Sequence, residues 1–314
     1  MHKSTAMMFT LVLLFGTAGC TLFKISVGEE VQPFTEKVIA GEGRDKILLL
    51  DISGFISSAS EGSSLLGTRN KPGLLSQVRE QLDRARSDRA VKGLLLRINS
   101  PGGGVTASDM LYHELVKFKN DTGVKVLAHI MDIGTSGAYY AALSADLITA
   151  QPTGVTGSIG VIMYSFDGTS LMQKIGLQAV EISSGTRKGM GSPFRPLVPE
   201  ERAIFQNVID SLQGRFVNTV TESRKLPLET VKSLSDGRIF TSQEAQAAGL
   251  IDSIGYLDDA IDQVKNLAHL KKASVVTYIR PGEYRSNLYS LNLINIDMGD
   301  VMGPGANFLY VWWP

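Results

Sequence analysis

Residues 91–104 read Val91-Lys92-Gly93-Leu94-Leu95-Leu96-Arg97-Ile98-Asn99-Ser100-Pro101-Gly102-Gly103-Gly104. The apolar run from Val91 to Ile98 is short and continuous, as a strand buried on both faces requires. It ends at Asn99, and the three glycines form a turn before helical spacing resumes over Thr106 to Lys119. Strand, glycine turn and helix make one unit of an α/β fold, in which ligand chemistry collects at the carboxyl ends of parallel strands.

The same unit recurs on both sides. Ile47 to Ile52 is a buried strand, and Gly54 to Pro72 is a polar loop rich in Ser and Gly. Gly73 to Arg89 is a helix carrying Leu74, Leu75, Val78 and Leu82 on one face. Val124 to Ile130 is a strand feeding a helix that starts near Ser136, and Asp146 to Ala150 and Ile159 to Met163 are further strands. Glu200 to Lys225 is a long amphipathic helix behind Pro199, and Leu228–Leu234 and Ser242–Ala248 are short ones. Leu250–Ile254 and Ala273–Ile279 are strands around a helix over Leu257–Ala268. Alternation of this kind predicts parallel pairing through right-handed crossovers.

The 31 basic and 31 acidic residues of the 314 cancel, and no basic stripe interleaves with aromatics, which argues against nucleic-acid binding. Residues 1–19 combine a charged start, the apolar stretch Met7 to Phe15 and small residues before Cys20, the pattern of an export signal. That apolar run is shorter than the roughly 20 residues of a bilayer span. Cys20 is the single cysteine, so no disulfide forms within the chain. Its position resembles the lipidated cysteine of bacterial lipoproteins, with Thr17 where that pattern usually has Leu. Residues 20–45 read as a polar membrane tether, and 46–279 as the folded domain. Residues 280–314 form a tail with both tryptophans at its aromatic end, which either stays disordered or docks in a groove, on a membrane interface or on another subunit.

Ser136 lies in Gly134-Thr135-Ser136-Gly137-Ala138-Tyr139-Tyr140, at the expected mouth of a helix near the glycine turn. An exposed hydroxyl beside backbone N–H groups suits acyl transfer, which needs a nucleophile and donors for the developing oxyanion. The hydroxyl also needs a base. His129 with Asp132 is one arrangement, although a core or surface role suits His129 better. Lys188, in a stretch dense in small residues from Ser183 to Ser192, is the other. A lysine amine serves as a base only after losing its proton, which burial favours. No His/Cys/Asp/Glu cluster has ligand spacing, so neither metal nor cofactor is called for.

Four blocks, Asn99-Ser100-Pro101-Gly102-Gly103, Ser136-Gly137-Ala138-Tyr139-Tyr140, Thr156-Gly157-Ser158-Ile159-Gly160-Val161 and Gly185-x-x-Lys188, resemble the signal peptide peptidase A family of membrane-associated serine–lysine peptidases. The order and spacing of the blocks match as well, over roughly Lys46 to Ile279. The resemblance implies a Clp protease/crotonase-like spiral of strand-strand-helix units, here in a single copy. It implies Ser136 as nucleophile, Lys188 as general base, Ser158 as the hydroxyl that holds the lysine, and the N–H groups of Gly103 and Gly137 as oxyanion donors. It further implies a homo-oligomeric ring whose sites draw on neighbouring subunits, anchored at the membrane on the exported side. The substrates would be cleaved signal peptides or other short or unfolded peptides. A non-catalytic tethered scaffold and an acyl-CoA enzyme of the same superfamily are the alternatives.

Overall fold

The computed structural model describes residues 32–58, 72–282, 286–290 and 308–312. The export signal and Cys20 lie outside the described residues. Within them no helix is long and apolar enough to cross a membrane.

Eleven strands join one mixed sheet among these residues. Its spine is parallel: β2 (Lys46–Ile56), β3 (Val91–Gly104), β4 (Lys125–Thr135), β5 (Leu147–Ala150) and β9 (Ser253–Ile254) lie side by side in that order. On the other side of β2 stands β10 (Ser274–Ile279), parallel to it, then antiparallel β1 (Thr35–Gly41) at the edge. Leu48, Leu50, Leu94, Leu96, Val126 and Ala128 send side chains into one buried layer. Ile47, Leu49, Leu95 and Leu127 alternate into the other. Both faces of the spine are thus covered, which is why its strands read as unbroken apolar runs.

The first layer is closed by α1 (Leu74–Ser87), which turns Val78, Leu82 and Ala85 inward, and by α2 (Val105–Thr122) through Leu111, Leu115 and Phe118. Helix α2 stops at Gly123, whose φ of 69° lets its N–H bond back to the Lys119 carbonyl. On the opposite face α8 (Leu257–Leu267) lays Leu257, Ala260, Ile261 and Val264 against Ile47 and Leu95. A buried ion pair crosses the spine: Arg97 of β3 donates from Nε and Nη2 to Asp51 of β2, at 2.6 and 2.9 Å. The same guanidinium donates to the carbonyls of Leu288 and Ser290, pinning residues 286–290 to the sheet.

The mixed α/β expectation holds, with departures at several boundaries. Strand β3 runs on through Gly104, so the glycines are paired strand and not a free turn. The reason is that Phe55 and Ile56 continue β2 alongside Gly102 and Gly103. Residues 35–41 of the expected tether form β1, anchored by its ladder to β10. Of the strand expected over Ile159–Met163 only β7 (Ile162–Met163) forms, and a separate strand β6 (Val155–Gly157) precedes it, with Ser158 at φ 50° between them. Only Ser253–Ile254 of the strand expected at 250–254 pairs. Finally, Phe308–Val311 of the tail form strand β11, antiparallel to both β3 and β7.

Candidate active site

Strand β4 delivers Ser136 to the carboxyl end of the sheet. Its backbone there has φ 52° and ψ −116°, outside the ordinary regions for a residue with a side chain. Such strain persists where the surroundings over-determine it, and a strand-to-helix elbow carrying a nucleophile is a recurrent example. The surroundings here are explicit. The Ser136 N–H donates to the Gly157 carbonyl at 2.7 Å, and the Tyr140 N–H returns to the Ser136 carbonyl at 2.8 Å. The six residues of α3 (Gly137–Ala142) are all buried. The Tyr139 hydroxyl donates to the Leu250 carbonyl at 2.7 Å and the Tyr140 hydroxyl to Asp109 at 2.8 Å, locking the elbow from below. The Ser136 side chain is buried, and its Oγ has no hydrogen-bond partner. A buried hydroxyl left unpaired costs free energy, so its retention calls for a functional reason.

The glycines of β3 stand across from the elbow. A Cβ on Gly102 would come within 2.8 Å of the Gly137 nitrogen, and one on Gly103 within 2.0 Å of the Ile56 carbonyl oxygen. Close approach of backbone to backbone is therefore the reason for glycine at both positions. Ser100 braces the turn, its Oγ donating to the Gly54 carbonyl at 2.6 Å and accepting the Gly102 N–H at 3.1 Å. Asn99 ties β3 to β4, donating to Asp132 at 3.1 Å and accepting the Ile133 N–H at 3.3 Å.

Ser158 sits next to Gly157, which is paired with Thr135, so the elbow and the Ser158 segment run side by side. The Ser158 N–H donates to the Arg238 carbonyl at 2.8 Å, and Thr156 Oγ1 donates to the Gly134 carbonyl at 2.7 Å. Lys188 is not bonded to either serine. It is exposed in a turn whose backbone bond runs from the Lys188 N–H to the Gly185 carbonyl. Among the described residues its Nζ has no hydrogen-bond or ion-pair partner. Its surroundings, from Ile162 to Val198, expose Tyr164, Phe166, Leu171, Ile175, Val180 and Ile182 to solvent. Within one copy the chain brings Ser136, Ser158, Gly103 and Gly137 together, and Lys188 makes no hydrogen bond to any of them.

His129 belongs to the core. Its Nδ1 lies 2.8 Å from Thr149 Oγ1 inside the sheet, and burial lowers its pKa to about 4. Asp132 is engaged by Asn99, so His129 and Asp132 do not form a relay to Ser136. Among the described residues no group of three or more His, Cys, Asp or Glu side chains is placed to hold a metal ion.

The aromatic tail takes the docked alternative read from the sequence, in a groove of its own chain. Strand β11 places Tyr310 opposite Gly103 and Val311 opposite Gly102, while Leu309 pairs with Ile162 on its other edge. The Tyr310 ring is fully buried, stacked on Tyr140 at 5.5 Å and tilted against Phe216 at 4.8 Å. Concentration of aromatics in the last seven residues was the available signal.

The description Peptidase family S49 matches residues 118–271, which include Ser136, Ser158 and Lys188. The chain is 36% identical over 246 residues to "Putative signal peptide peptidase SppA" of Enterococcus faecium, covering 77% of this chain and 70% of that one. It is 33% identical over 246 residues to "Serine protease SPPA, chloroplastic" of Arabidopsis thaliana and 31% over 228 residues to "Protease 4" of Salmonella typhi. These matches take in 76% and 71% of this chain, but it spans only 35% and 36% of those longer relatives. A ClpP1 variant from Listeria monocytogenes aligns with 68% of this chain and 94% of its own, at 17% identity and a TM-score of 0.44. On the extent of the first relative alone, the chain belongs to peptidase family S49, the signal peptide peptidase A-like serine peptidases.

Proposed function

We propose that the chain is an exported endopeptidase, tethered through lipidated Cys20, in which Ser136 and Lys188 form the catalytic pair. Ser136 Oγ attacks the carbonyl carbon of a peptide bond. Lys188 takes the hydroxyl proton and passes it to the leaving amine, and water then hydrolyses the acyl-enzyme ester with the lysine again as base. The N–H groups of Gly103 and Gly137 stabilise the tetrahedral oxyanion, and Ser158 orients the lysine amine. Residues 46–279 are the peptidase domain, and the substrates are cleaved signal peptides or other short, unfolded peptides.

The observation that carries this reading is the buried, unpartnered Oγ of Ser136 on a strained elbow facing glycine backbone. Lys188 makes no bond to Ser136 or Ser158 of its own copy and belongs to a segment whose apolar side chains face solvent. Large exposed apolar stretches are typical of association surfaces. The base therefore comes from a neighbouring copy, in a homo-oligomeric ring joined through residues 162–198. Hydrolysis of a mixed peptide substrate by the exported protein, beside Ser136→Ala, Lys188→Ala and Ser158→Ala, tests the assignment. The first two variants are expected to be inactive and the third strongly impaired. Wild-type turnover in Lys188→Ala means that another base acts.

A further inference from the structure

Residues 176–198 carry no helix or strand, and Lys188 stands in the middle of them. A stretch of that length without regular structure inside a folded domain usually serves a function. To present one side chain reliably, it must be held in one conformation. Its own backbone supplies short turns: the Met190 N–H donates to the Arg187 carbonyl at 3.2 Å, and the Ser192 N–H to the Gly189 carbonyl at 3.1 Å. Such turns shape the loop but do not tie it to the domain.

Arg195 makes that tie. Its Nη2 donates to the carbonyl of Gly189, the residue after Lys188, at 3.0 Å. The same guanidinium grips Glu201 with two nitrogens, Nη1 to Oε2 at 3.0 Å and Nη2 to Oε1 at 2.6 Å. Paired, charge-assisted bonds of this kind fix direction as well as distance. Glu201 lies in the first turn of α5 (Pro199–Arg224), where a negative charge suits the helix dipole, and its side chain is 5% exposed. The Arg195 hydrogen bonds hold the Glu201 carboxyl below the ordinary carboxylate range, so the pair is ionised at neutral pH. Farther along, α5 is rooted in the core through Phe216, Val217 and Val220. Two more contacts close the brace. Glu181 Oε2 lies 3.5 Å from Arg195 Nε and covers the position that a Cβ on Gly189 would take. A Cβ on Gly191 would come within 3.0 Å of the Phe205 ring of α5.

We infer that Arg195 is the positioning residue of the catalytic base: anchored on Glu201, it holds the Gly189 carbonyl and so fixes the loop that carries Lys188. The inference rests on the serine–lysine reading and deepens it. Arg195 acts through the loop and touches neither the peptide nor the nucleophile. In the shared site the peptide rests on the copy that supplies Ser136, and the brace belongs to the copy that supplies Lys188. Loosening it scatters the amine away from Ser136 Oγ, which lowers turnover and leaves substrate affinity in place. A lysine cannot replace Arg195, because its single ammonium reaches Glu201 but lacks the planar fork that also serves Gly189.

Two variants test this in the full chain. Arg195→Lys keeps a cation beside the buried Glu201 carboxylate and so keeps the fold, and Arg195→Met removes the cation as well. Hydrogen exchange reads the N–H groups of Lys188, Met190 and Ser192, and hydrolysis of a mixed peptide substrate reads kcat and KM. In Arg195→Lys these three amides are expected to exchange about tenfold faster, with those of β4 unchanged. The same variant should lose at least about tenfold in kcat, with KM within about twofold of the unsubstituted chain. Arg195→Met should move both readings further in the same direction. Unchanged exchange at the loop in both variants overturns the brace. Faster exchange throughout the chain, or a loss carried entirely by KM, overturns the positioning role, as does faster loop exchange with kcat unaltered while Lys188→Ala is inactive. Faster loop exchange beside full activity of Lys188→Ala sinks the serine–lysine reading and leaves the brace on the loop standing.

Discussion

The N–H of Ser136 donates to the carbonyl of Gly157 at 2.7 Å, so a backbone bond joins the candidate nucleophile directly to the segment carrying Ser158. Neither side chain takes part. The link between the two segments does not consume either hydroxyl, and both remain available for chemistry.

Ser136→Ala should consequently remove activity and leave the fold in place. The Oγ has no partner to lose, and serine and alanine share the same cost at φ 52°. Thermal unfolding of the variant is expected to match the unsubstituted chain within about 1 kcal/mol. A large drop in stability would mean that the hydroxyl is structural.

Gly103→Ala should damage stability and activity together. Its Cβ would stand 2.0 Å from the Ile56 carbonyl oxygen, a backbone atom of the neighbouring strand that cannot rotate away. A loss of about 2 kcal/mol or more is expected, with turnover falling because the Gly103 N–H moves. Gly123→Asn is the contrasting substitution, since nothing lies within 4 Å of its Cβ position and Asn tolerates the left-handed region. Chemical denaturation of both variants checks the difference.

His129 makes the fold acid-sensitive in a defined window. Its folded pKa is lowered to about 4 from an ordinary 6.5, because burial penalises the imidazolium. Below pH 6.5 the unfolded chain takes up a proton that the folded chain refuses, so stability falls as pH drops toward 4 and then levels off. The contribution is at most about 3 kcal/mol. His129→Gln should flatten that part of the stability–pH curve, and an unchanged slope would assign the acid sensitivity elsewhere.

Arg97 and Asp51 are a test of pairing. The Arg97 side chain is 1% exposed and that of Asp51 9%, so Arg97→Met removes the paired cation from a buried carboxylate, at a cost of about 3 kcal/mol or more. The double variant Asp51→Asn with Arg97→Met should recover part of that loss. Additive losses in the two single variants would show that the pair is not coupled.

The spine of the sheet was legible because Ile47–Ile52, Val91–Ile98 and Val124–Ile130 are covered on both faces, which leaves an apolar run that survives in sequence. Its ends were less so. Gly102 to Gly104 carry no side chains, so no periodicity marks them as strand, and only Phe55 and Ile56 alongside make them one. Strand β1 is polar because it lies at an edge, and its assignment depends on a partner far along the chain. At the site, Ser136, Ser158, Gly103 and Gly137 were named by local motifs and come together through adjacent strands. The aromatic cluster was not named, since Tyr112, Tyr140, Phe216 and Tyr310 are scattered along the chain and meet only in the fold.

The most direct measurement mixes two inactive variants, Ser136→Ala and Lys188→Ala, dissociates and reassembles them together, and assays peptide hydrolysis. If each site takes its serine from one copy and its lysine from the next, random assembly restores about a quarter of the sites. Recovery near that level, with neither variant active alone, is the predicted result. Full activity of Lys188→Ala alone, or no recovery in the mixture, would contradict a serine–lysine pair shared between copies.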